Sequence, residues 1–136
     1  MGTVVLDSCI LLGLFDPKDA LHLAAAGTVR ERRLRSDRLA VPIIVSSEIL
    51  VGAARQGEPA LKDRLRRLIR AFGTPVPIDL DIAVTAARLR AAHSALRLPD
   101  ALVLATGIVL DAEMLSADKK WPKIDPRVTL VEPGVN

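Results

Sequence analysis

Short runs of β-branched and aliphatic residues alternate with longer stretches of helical spacing, and this alternation limits the fold more than any other feature of the chain. "TVVLD" (3–7), "RLAVP" (38–42), "TPVPI" (74–78), "AEMLS" (112–116) and "RVTLVE" (127–132) read as strands. Residues 17–35, 43–55, 60–72, 79 or 81 to about 96, and 99–110 read as helices. Parallel strands need crossovers of a dozen or more residues, which helices of this length supply. The pattern therefore predicts one α/β domain with a mainly parallel sheet of four to five strands. In 43–55 the apolar positions are Ile43, Ile44, Ser47, Leu50, Val51 and Ala54; in 60–72 they are Leu61, Leu65, Leu68, Ile69 and Phe72. Two prolines place 74–78 near a sheet edge.

Half of the 136 residues are hydrophobic, yet only Phe15, Phe72 and Trp121 are aromatic. The core must be aliphatic, and binding of nucleic acid would rest on charge rather than on stacked aromatic rings. A single cysteine, Cys9, excludes an internal disulfide and reads as a small core residue. No Cys/His cluster has zinc spacing. No basic segment precedes an apolar run as in a signal peptide, and "ALVLATGIVL" is too short to span a bilayer, so a cytoplasmic protein without a membrane partner is expected. The net charge of +3 is uneven: residues 1–70 hold twelve Lys and Arg against eight Asp and Glu. The excess lies in "RERRLRSDR" (30–38) and "KDRLRRLIR" (62–70), which read as solvated helix faces or as a flank that attracts phosphates.

Four acids have unusual settings. Asp7 sits where an apolar strand runs into an apolar helix, and an ionised carboxylate buried there without a partner is expensive. It must be paired, protonated or at an opening, and open parallel sheets bind ligands beyond the carboxyl ends of their strands. Glu48 lies mid-helix beside apolar positions, where a border residue would pack its stem and extend its head to water. Asp100 follows Pro99 at a helix start, a favourable place for both residues. Asp118 follows a strand, where Asp commonly makes a turn. Each has an ordinary explanation singly; together they would converge on one rim of the sheet. Carboxylates crowded there raise one another's pKa. A hard divalent cation resolves the conflict, and an all-oxygen set suits Mg²⁺ or Mn²⁺, the ions of metal-assisted phosphodiester hydrolysis.

The stretches "VVLDSCILLGLF", "AVPIIVSSEILVGA", "IDLDIAVTAARLR" and "LRLPDALVLATGIVLDAEMLSADKKW" resemble the PIN-domain nucleases, and among them the VapC toxins of bacterial VapBC toxin–antitoxin pairs. The likeness runs through essentially all of 1–136, in the order Asp-Ser, Glu, Asp-Ala, Ser-x-Asp. It implies a three-layer α/β/α fold and endonucleolytic cleavage of RNA, whether transfer RNA, a ribosomal RNA loop or a message, with Mg²⁺ or Mn²⁺. By this resemblance Asp7, Glu48, Asp100 and Asp118 are the metal-binding acids, and Ser8 and Ser116 orient a water or a carboxylate. It further implies a homodimer and a cognate VapB-type antitoxin, held by helices of the first half, that blocks toxicity. The sequence departs from the family pattern at Thr106-Gly107, and Asp111 adds an acid that reads as a turn residue.

The expected reaction is in-line attack by a Mg-activated water, leaving a 5′-phosphate and a 3′-hydroxyl and inhibiting translation and growth. It needs neither His22 nor His93, which read as packing or surface residues. Two other classes remain open at this point. A basic α/β module binding RNA without cutting it fits the charge. "PIDLDIAV" places Asp79 and Asp81 after an apolar run, as in haloacid-dehalogenase-type phosphatases, although either residue also suits a helix cap.

Overall fold

Val4, Val5 and Leu6 follow one another and all three are buried, so the strand that carries them has both faces covered. In the computed structural model, which describes residues 2–134, this strand, β1 (Thr3–Leu6), lies inside a four-stranded sheet. The sheet order is β2 (Arg38–Ala40), β1, β3 (Glu113–Ser116), β4 (Val128–Leu130), and every pairing is parallel. Val5 pairs with Ala40 on one side and with Met114 on the other. Among the described residues six α-helices flank the sheet in a three-layer α/β/α arrangement. They are α1 (Ser8–Phe15), α2 (His22–Leu34), α3 (Ile43–Arg55), α4 (Glu58–Phe72), α5 (Leu80–Ala92) and α6 (Leu98–Val109). None of them is long and apolar enough to cross a membrane.

The strand order positions the site. From β1 the chain moves outward to β2, then returns to the far side of β1 for β3 and continues to β4. Connections thus leave β1 and β3 in opposite directions, opening a crevice between their carboxyl ends. At the other end of β3, Arg32 of α2 is buried and donates to both Glu113 oxygens, from Nε at 2.8 Å and Nη2 at 2.9 Å. The Thr129 hydroxyl also donates to Glu113. This network ties α2, β3 and β4 together away from the crevice.

Several boundaries differ from the sequence reading. Residues 74–78 form no strand; Val76 makes one bridge, to Pro42. Pro75 and Pro77 have no N–H, so the pairing rests on Val76, whose N–H donates to Val41 O and whose carbonyl accepts from Ile43 N–H, both at 2.8 Å. The helix expected from 17 starts at His22, because Asp16 and Asp19 turn the chain by accepting from the N–H groups of Lys18 and Leu21. α4 starts at Glu58, with Gly57 at φ 113° as its cap and Pro59 in its first turn. The buried face of α3 is Val45, Ser46, Ile49 and Ala53, rotated away from the expected stripe. That helix is apolar on several sides, so spacing alone did not choose the inward one; packing against α1, α4 and α6 did. In α4 only Leu68 is fully buried, while Leu65 and Ile69 remain 42% and 40% exposed.

Gly107 explains one departure noted in the sequence. A Cβ there would overlap Met114 Cγ and Sδ, and Met114 is wholly buried on β3. The glycine lets α6 lie close against the sheet. Asp111 follows at φ 49°, a left-handed turn residue that pairs with Arg127 Nε at 2.8 Å.

Candidate active site

β1 ends by hydrogen-bonding Asp7 N–H to Leu115 O at 3.0 Å, which holds the start of α1 against the end of β3. Asp7 then caps α1, its Oδ1 accepting the Ser8 backbone N–H at 2.7 Å. The other oxygen, Oδ2, accepts the Ser116 hydroxyl at 2.8 Å and the Cys9 thiol at 3.4 Å. Cys9 Sγ in turn accepts Ala117 N–H at 3.3 Å, and Ser116 Oγ accepts Asp118 N–H at 3.1 Å. Asp118 Oδ1 accepts the backbone N–H of Lys120 at 2.9 Å, a turn that fixes its carboxylate. Two strand ends, β1 and β3, are laced together through one buried carboxylate.

Burial pushes the Asp7 carboxyl above its ordinary range; the bonds from Ser116, Ser8 N–H and Cys9 pull it back, and the charge of Asp100 adds to the upward push. Glu48 projects from an exposed position of α3. Its carboxyl is also raised, first by partial desolvation and then by the charges of Asp7 and Asp100, against which Arg97 acts. Asp7, Glu48 and Asp100 are therefore within electrostatic reach of one another, although they come from β1, α3 and α6. Asp100 stands in the first turn of α6 with Arg97 Nε 3.6 Å away. Asp100 and Asp118 line one cavity of about 490 Å³. The fourth acid thus joins the others through this cavity and through Ser116.

An acid set of this kind calls for a cation. All four carboxylates are hard oxygen donors, and the upward push of Asp100 on Asp7, and of Asp7 and Asp100 on Glu48, would be relieved by positive charge among them. The donor set fits Mg²⁺ or Mn²⁺. Among the described residues no group of three or more Asp, Glu, His or Cys side chains is arranged to hold a metal ion.

The other residues singled out in the sequence have partners of their own. Ser8 contributes its backbone N–H to Asp7. His22 Nδ1 lies 2.7 Å from Gly13 O, a packing role. Asp79 caps α5 by accepting Ile82 N–H at 2.9 Å, which accounts for it without phosphatase chemistry. The basic stretches gather elsewhere: Arg33 lies over the Phe72 ring and Arg64 over the Phe15 ring, 5.2 Å and 4.8 Å from the centroids. Phe15, Arg33 and Phe72 line a second, largely apolar groove of about 410 Å³ between α1, α2 and α4.

Sequence reasoning missed Cys9, Arg97 and Trp121 as neighbours of the acids. Cys9 is a hydrogen-bonded member of the site as well as a packed residue; burial and the charge of Asp7 push its thiol up to about 12, so it is a neutral donor. Its position in the first turn of a helix capped by Asp7 was the available signal.

A family model for the PIN domain matches residues 4–126. The chain belongs to the PIN-domain family. PIN domains are generally nucleases and generally use divalent metal ions. Among solved structures, this PIN domain is similar to a toxin–antitoxin complex from Klebsiella pneumoniae, with 26% identity, a TM-score of 0.70 and coverage of 93% of this chain and 95% of that one. It shares its fold with VapBC2 from Rickettsia felis bound to a promoter DNA fragment (13% identity, TM-score 0.76, 94% and 96% covered). FitAcB from Neisseria gonorrhoeae is also similar in fold (17% identity, TM-score 0.74, 96% and 97% covered). No curated protein matches the chain.

Proposed function

We propose that this PIN domain is the toxin of a VapBC-type toxin–antitoxin pair, a Mg²⁺- or Mn²⁺-dependent endoribonuclease that stops translation until its antitoxin blocks it. The observation that carries the reading is the joining of Asp7 to Glu48 and Asp100 by charge, and to Asp118 through Ser116, at the carboxyl edge of a parallel sheet. Asp7, Asp100 and Asp118, with Glu48 alongside, would hold the metal. A divalent cation there neutralises the acids, polarises the phosphoryl oxygen and lowers the pKa of a water for in-line attack. Ser116 and Cys9 fix the carboxylate of Asp7 by donating to the same oxygen, and Ser8 N–H fixes the other. Arg97 lies where it can meet a phosphate oxygen beside Asp100.

The apolar groove between α1, α2 and α4, edged by Arg30 and Arg33, suits an antitoxin segment with apolar anchors and acidic flanks. The toxin–antitoxin complex of similar fold supports this partner; a cytoplasmic homodimer belongs to the same reading. The test is sequencing of RNA 5′ ends after induction of wild type and of Asp7→Asn. New ends in wild type alone support hydrolysis by this site and name the target RNA. Identical profiles, with the variant still arresting growth, would count against it and favour RNA binding without cutting.

A further inference from the structure

We infer that the cavity between the start of α6 and residues 118–124 is a nucleotide subsite, holding one nucleotide of an RNA strand next to the bond being cut. The inference rests on the nuclease reading and extends it. The cavity is lined by charges of both signs: Asp100 and Asp118, two of the acids described above, and the cations Arg97, Lys120 and Lys123. One nucleotide carries a phosphate on each side of its sugar, so with the scissile phosphate by the acids, Lys120 and Lys123 are the cations offered to the neighbouring phosphate. Leu96, Trp121 and Ile124 line the cavity and offer apolar surface to the sugar and base. Its volume, about 490 Å³, suits a ligand of nucleotide size.

Trp121 also supplies the probe, because the chain has one tryptophan and no tyrosine. The intact protein would be titrated, in Mg²⁺, with adenosine 3′,5′-bisphosphate while indole emission is followed. Saturable change in emission is expected, displaced by a single-stranded RNA oligomer. The Lys120→Ala/Lys123→Ala double variant should bind at least about tenfold more weakly, as loss of one charged contact implies. A Lys18→Ala/Arg88→Ala double variant, with the same loss of charge outside the cavity, should bind as wild type. Unchanged emission at millimolar ligand, equal affinity in the Lys120/Lys123 variant, or binding that RNA does not displace overturns the subsite. RNA cleavage that persists in any of those cases leaves the nuclease reading standing. Lysine-dependent binding without cleavage under Mg²⁺ or Mn²⁺ would keep a nucleotide-binding cavity while removing the nuclease.

Discussion

Ser116 Oγ and Asp7 Oδ2 lie 2.8 Å apart, a hydrogen bond between residues 109 positions apart in sequence that joins the ends of β3 and β1. Ser116 is wholly buried and also accepts Asp118 N–H, so one hydroxyl aligns two of the acids. Ser116→Ala should lower RNA cleavage by about 10- to 100-fold, as loss of a group that orients a metal ligand commonly does. Single-turnover cleavage at several Mg²⁺ concentrations checks this. A deficit that high Mg²⁺ partly rescues is the expected form, and wild-type rates would remove Ser116 from the mechanism.

Metal should act on the fold as well as on the reaction. An ion bound to the native acids stabilises by mass action, by about 2.7 kcal/mol at 100 times its dissociation constant. Thermal unfolding of the wild type should shift upward with Mg²⁺ or Mn²⁺, and the shift should largely vanish in Asp7→Asn. Equal shifts in both proteins would mean that the ion binds elsewhere.

The metal-free chain should have a characteristic pH dependence. Asp7 and Glu48 are raised above the ordinary carboxylate range. Folding then takes up protons at these groups, so their contribution to stability is full below the unfolded pKa and is lost as pH rises through the folded one. Glu113 has the opposite sign, because its bonds to Arg32 hold it low; its contribution is present above the unfolded pKa and is lost as pH falls through the folded one. Denaturant unfolding in chelator should show stability declining on the alkaline side of the carboxylate range. Asp7→Asn should flatten that decline, and Glu113→Gln should flatten the loss in acid.

Arg32 and Glu113 form a part-buried charge pair joined by two hydrogen bonds, away from the four acids. Removing Glu113 alone leaves a guanidinium that is 8% exposed short of its main partner. Glu113→Ala should cost on the order of 3 kcal/mol, at the low end for a buried pair because Glu113 keeps some contact with water. Replacing both residues by apolar ones should cost much less. Cleavage per folded molecule should be unchanged in either case, since the pair sits at the opposite end of β3 from Ser116.

Gly107→Ala should destabilise the fold although alanine is the better helix former. Overlap with buried Met114 costs about 1–3 kcal/mol and helix propensity returns about 1. Equilibrium denaturation would measure the difference, and a more stable variant would show that Met114 has room to move.

The amino-acid order by itself determined the class of fold and singled out the acids proposed for the site. Alternating periodicity requires parallel strands with helical crossovers, and an Asp at a strand end or a helix start is a local oddity visible without coordinates. α3 was legible to the residue at both ends, because Pro42 precedes it and helical spacing fills 43–55. Its inward face was not, since a helix apolar on several sides takes its orientation from what packs on it. Likewise 74–78 has strand composition, but a strand needs donors, and the prolines removed them. Only the tertiary structure decided that Asp7 shares one oxygen between Ser116 and Cys9, that Arg97 and Trp121 neighbour the acids, and that Arg30 and Arg33 line a separate groove with Arg64 over its Phe15. The Asp7–Ser116 bond and the groove contacts join residues far apart in sequence, and side-chain contacts across such distances are fixed by strand order and packing, which no local pattern encodes.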